Sequence, residues 1–82
     1  MADETELANL PPFDRITFDP EIMGGRACIR GMRVTVAVIV GQIAQGASIE
    51  EILTDYPYVE RQDVEQALAY AAWLASEQVI PA

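Results

Sequence analysis

Apolar and polar positions divide the chain into short alternations near the front and longer periodic runs behind them. Ile16-Thr17-Phe18 alternates as a short half-covered strand does. Asp19-Pro20 starts a turn, and Gly24-Gly25 breaks the chain again. Ala27-Cys28-Ile29 is a short apolar run. Arg30-Gly31-Met32 follows as a tight turn whose glycine can take positive φ, and Arg33-Val34 returns as a strand. The pattern predicts strands over about 15–18 and 27–34. Such a ribbon is marginal in water, so it must pack on helices or pair with another chain.

Residues 34–46, VTVAVIVGQIAQG, fit two periods. Val34, Val36, Val38 and Val40 alternate like a strand, and β-branched residues favour one. Val36, Ile39, Val40 and Ile43 fall at i, i+3, i+4 and i+7 like a helix. Thr35 as an N-cap and Gly46 as a C′ residue favour the helix, expected over about 36–45. Ser48-Ile-Glu-Glu51 is a capping box that opens a helix over about 48–55, closed by Pro57 because the residue before proline leaves the α region. A third helix over about 60–77 has Val64, Ala67, Leu68, Ala71, Leu74 and Ala75 as its expected inner stripe. The layout is mainly α: a trihelical, helix-turn-helix-like domain over 13–78 preceded by a short β element.

Residues 67–75, ALAYAAWLA, carry no charge. With Val64 and Leu68 inward, Trp73 falls on the opposite side with Ala69 and Ala72. Either the tail or the β element covers this face, or it is an oligomer interface anchored by Trp73; the interface is favoured. A chain of 82 residues is one domain and marginal alone, so a homodimer is expected. Residues 1–12 are polar and acidic, end in Pro-Pro, and read as a flexible tail. No apolar run approaches the ~20 residues of a membrane span. The single cysteine, Cys28, and the absence of a signal-peptide pattern point to a reducing, cytoplasmic setting.

Charge changes the picture most. The net charge is −8, yet residues 15–33 hold four of the five basic side chains. The stretch GGRACIRGMRV gathers Arg26, Arg30 and Arg33 among three glycines. In one reading the glycines shape turns and the arginines are solvated or pair with Asp19 and Glu21. In the other, arginines bind a partner's carboxylates or a phosphate, which their planar fork suits. An acidic protein is a poor generic binder of nucleic acid. Were the third helix a recognition helix, Arg61, Gln62 and Gln66 would read bases, while Glu60, Asp63 and Glu65 would repel phosphates.

Enzyme chemistry has little to work with. There is no histidine and no lysine, and one cysteine cannot build a zinc cluster. Neither the dinucleotide nor the P-loop glycine spacing is present. No catalytic residue, metal, cofactor or small-molecule substrate is expected.

The segments ITFDPEIMGGRACIRGMRVTV and GASIEEILTDYPYVERQDVEQALAYAA resemble the bacterial family known as domain of unknown function 433, from about Arg15 to Leu74. The shared pieces are D-P-x-I-x-G-G, I-x-G-x-R-V, G-x-S-x-E-E-I-L-x-D-Y-P and D-V-x-x-A-L-x-Y-A. The chain departs from the family at Ala27, where proline is usual, and at Met32, where threonine is usual. The resemblance implies a homeodomain-like or winged-helix-like fold. It also implies an antitoxin of a type II toxin–antitoxin pair, similar to VapB-type antitoxins, with a PIN-like RNase as partner and operator DNA as a second target. On that reading Arg30 and Arg33, with Arg26 behind them, meet the nuclease's metal-binding carboxylates. The alternatives are a stand-alone dimeric helix-turn-helix regulator and a homodimeric interaction module.

Overall fold

The computed structural model describes residues 13–77; the expected tail over 1–12 lies outside them. Two short strands, β1 (Ile16–Thr17) and β2 (Cys28–Ile29), precede three helices: α1 (Val36–Ala44), α2 (Ile49–Asp55) and α3 (Arg61–Glu77). The strands pair antiparallel within the chain, Ile16 opposite Ile29 and Thr17 opposite Cys28. Thr35 bridges Cys28 from the other side, so the middle strand is flanked on both edges. Both strands are shorter than the sequence predicts. The second is cut off at Arg30, where the chain turns: Met32 N–H closes on Ile29 O at 2.8 Å, with φ of +44° at Arg30 and +72° at Gly31. Two successive positive φ values are what a tight hairpin turn requires, and glycine supplies the second at no steric cost.

Helix wins over strand from Val36 onward because both ends are capped. The Thr35 hydroxyl accepts from Val38 N–H at 3.1 Å. At the other end Gly46, with φ +104°, lets its own N–H reach Ile43 O and Ala47 N–H reach Gln42 O, each at 2.9 Å. That pair of bonds is a Schellman motif. The Ser48–Glu51 capping box opens α2 with both reciprocal bonds made, at 2.8 and 3.1 Å. At its end the Tyr56 hydroxyl accepts from Gln42 Nε2 at 2.8 Å, tying α2 to α1.

The core lies where α1 and α3 pack under the β element. Ile29, Ile39, Ile52, Val64 and Ala67 are wholly buried there, with Phe13, Ile16, Val36, Val59 and Tyr70 around them. The inner face of α3 differs from the expected stripe. It runs Asp63, Val64, Ala67, Tyr70, while Leu74 and Ala75 are exposed. The cause is aromatic: Tyr70 sits edge-on to Phe13 at 5.4 Å and stacks near Trp73 at 6.1 Å between ring centres. Trp73, expected on an outward face, is half-buried in this cluster, 5.9 Å from Phe13. Ala69 and Ala72 are exposed. No helix among the described residues is long and apolar enough to cross a membrane.

Candidate partner-binding surface

The strongest polar cluster forms where the arginine turn meets the start of α3. Glu60 caps that helix, its carbonyl accepting from Asp63 and Val64 N–H. Asp63, three positions on, bends back so that Oδ2 accepts from Glu60 N–H at 2.8 Å. The same carboxylate is fully buried and holds two guanidiniums. Arg15 Nη1 donates to Oδ1 at 2.8 Å. Arg30 donates through Nε at 3.1 and 3.2 Å and through Nη2 at 3.0 Å.

The arginines have further duties. Arg30 Nη2 donates to Tyr58 O at 2.8 Å. Arg15 Nη1 donates to Glu60 Oε1 at 2.7 Å and Nη2 to Gln62 Oε1 at 2.5 Å, while its backbone N–H reaches Gln66 Oε1 at 2.6 Å. The ribbon is locked from its other side as well: Arg30 N–H bonds Arg15 O, and Gly31 N–H bonds Thr17 Oγ1, both at 2.8 Å.

Burial alone pushes the Asp63 carboxyl up. The Arg30 guanidinium, the Glu60 N–H and the Arg15 guanidinium outweigh it, and its pKa falls below the ordinary aspartate value. Arg15 is raised, first by its bond to Glu60 and then by Asp63; Arg30 is raised by its bond to Asp63. All three groups stay charged at neutral pH. The cluster therefore works as a latch that fixes the β element against α3.

The latch redistributes the residues singled out from sequence. Arg30 is bound to Asp63, not to Asp19 or Glu21. Arg61 pairs with Glu50 of α2, and this contact holds the Glu50 carboxyl below its usual range. Gln62 accepts from Arg15; Gln66 accepts from Arg15 and donates to Asp14 at 3.0 Å. Arg26 and Arg33 are exposed and make no ion pair among the described residues. Asp63 and Arg15 were not among the candidates. The signal for Asp63 was an acid three residues after the helix cap, the second half of a capping box.

An apolar groove of about 620 Å³ lies between the β element, α1 and α3. Phe18 of the β element, Val36 and Val40 of α1, and Tyr70 and Leu74 of α3 line it, with Arg26 also on its wall. Phe18 and Leu74 are 49% and 42% exposed, large apolar side chains left open to water.

Residues 16–71 match a protein family described as "Protein of unknown function (DUF433)". The uncharacterized protein y4eO of Sinorhizobium fredii (strain NBRC 101917 / NGR234) is 34% identical over 56 residues, which are 68% of this chain. The match spans 25% of that protein, a quarter of its length. The crystal structure of a DUF433 member protein from Anabaena variabilis is 28% identical, with a TM-score of 0.72 over 94% of this chain and 93% of that one.

Proposed function

The chain belongs to the DUF433 family, and we propose that it is a non-enzymatic protein-binding module acting as the antitoxin of a type II pair, whose partner is a PIN-like RNase. One observation carries this reading. Among the described residues, three of the five arginines are neutralised by acids of the same chain, and the two that remain, Arg26 and Arg33, are exposed. An exposed guanidinium on the segments flanking the ribbon suits a nuclease centre of clustered metal-binding carboxylates, where it takes the cation's place by charge pairing. The contact role moves from Arg30 to Arg26 and Arg33, because Arg30 is needed at home.

Operator binding has less support. Arg61, Gln62 and Gln66 already make hydrogen bonds within the chain, and Glu60 and Glu65 are exposed on the same helix start. Self-association is part of the proposal, with exposed Ala69 and Ala72 as its surface; Trp73 packs instead against Phe13 and Tyr70 of its own chain.

The test is co-expression with the product of the adjacent gene in a growth assay. Wild type restores growth and co-purifies with that product. Arg26→Ala/Arg33→Ala loses both while its melting temperature is unchanged. Wild type that neither binds nor rescues, or a double variant that rescues equally well, refutes the reading.

A further inference from the structure

We propose that the groove between α1 and α3 docks an amphipathic helix of a different protein, one that lays apolar side chains along it and sets a carboxylate on Arg26. The inference deepens the protein-binding reading and rests on it, but not on the partner being a nuclease. Val36 and Val40 stand one turn apart on α1, and Tyr70 and Leu74 one turn apart on α3. Two such rows suit the i, i+4 ridges of a third helix.

Gly41 points the same way. It lies in the interior of α1, where glycine is less stable than alanine. A Cβ added there would meet nothing within 4 Å among the described residues, so packing among them does not require its absence. Gly41 lines the groove, and the open space above it admits the close approach of another backbone.

Charge selects the occupant. Arg26 is the one charged residue on the groove wall and has no ion-pair partner among the described residues, so the complementary group is a carboxylate on an otherwise apolar face. A second copy does not supply that face from its described helices. Among the described residues the large apolar side chains exposed on helices are Val38 on α1 and Leu74 on α3, one to each helix, while the exposed side of α2 is Glu50, Glu51, Thr54 and Asp55; none of the three carries two of them one turn apart.

The probe is a phage-displayed library of 14-residue helical peptides, selected on the full chain, with binding of the enriched peptides read by fluorescence anisotropy. Enriched clones carry apolar residues at i, i+4 and an Asp or Glu beside them. Gly41→Leu, which fills the groove with a better helix former, melts no lower than wild type yet loses binding. Arg26→Ala weakens binding about tenfold, and Arg26→Glu turns the preference from acid to lysine. The proposal is overturned if no clone enriches, if clones bind Gly41→Leu as well as wild type, or if no acid is selected. It is equally overturned if wild type sediments as a dimer that Gly41→Leu dissociates, since the groove then belongs to a second copy. Failure of the library with nuclease neutralisation intact removes the groove alone; the converse removes the nuclease reading alone.

Discussion

Replacing Asp63 by alanine removes two things at once. The first is the acceptor for Glu60 N–H at the start of α3, a capping bond of about 1 kcal/mol. The second is the carboxylate between Arg15 and Arg30. Breaking a fully buried ion pair costs about 3–5 kcal/mol because a buried charge is stranded. Here the two guanidinium side chains are 24% and 37% exposed, so water recovers much of that loss. A residual charge contribution of about 1–2 kcal/mol is expected after that screening. Asp63→Ala should therefore destabilise by about 2–3 kcal/mol, out of the roughly 4–12 kcal/mol that a domain of this size possesses. In a thermal melt followed by far-UV circular dichroism, that is a fall of about 10–20 °C.

Asp63→Asn sharpens the test, because it keeps the shape and can still accept from Glu60 N–H but carries no charge. The folded pKa of Asp63 lies below its unfolded value of about 3.9. Its charge-dependent stability is thus complete above that unfolded value and is lost as pH falls through the folded one. The melting gap between wild type and Asp63→Asn should be constant from pH 7 to about 5, then narrow as the pH drops below 4. Comparing the two proteins at each pH cancels the titration of carboxylates distant from the latch. A gap that stays flat down to pH 3, or an Asp63→Ala variant that melts within about 2 °C of wild type, refutes the latch.

Two further substitutions probe neighbouring claims. Arg30→Gly and Arg30→Ala both remove the guanidinium, but glycine also relieves the left-handed backbone at φ +44°, so the glycine variant should melt about 5 °C higher than the alanine one; equal melts would show the turn is not strained. Trp73→Ala should destabilise by about 2 kcal/mol through lost contact with Phe13 and Tyr70, a loss that does not vary with protein concentration; a drop that grows on dilution would place Trp73 in an interface between copies instead.

Local codes were the legible part of this chain. Thr35, Gly46 and the Ser48–Glu51 box mark helix ends because capping is settled by residues three or four apart, and each bond they imply is made. The β element was legible as alternation interrupted by glycine turns. Its length was not: the strand ends where Arg30 and Gly31 take positive φ, and the acid that Arg30 then holds, Asp63, lies thirty-three positions away. The same distance hid the site. A helical wheel for α3 places Leu74 inward and Trp73 outward, and no wheel contains Phe13, which pulls Tyr70 and Trp73 towards the β element.

Charge was misleading for a related reason. Net charge and clustering count arginines without saying which are already answered by an acid elsewhere. Asp63 looked like a residue that would repel a phosphate; folded, it binds the very arginine that looked free for a partner. That exchange limits what the basic stretch GGRACIRGMRV can do. One of its three arginines, Arg30, is spent on holding the stretch against α3, and Arg26 on the groove wall belongs to that same stretch. Any variant that loosens Asp63 should therefore weaken partner binding as well as stability, and the loss of binding should track the fraction unfolded only if the latch has no separate positioning role.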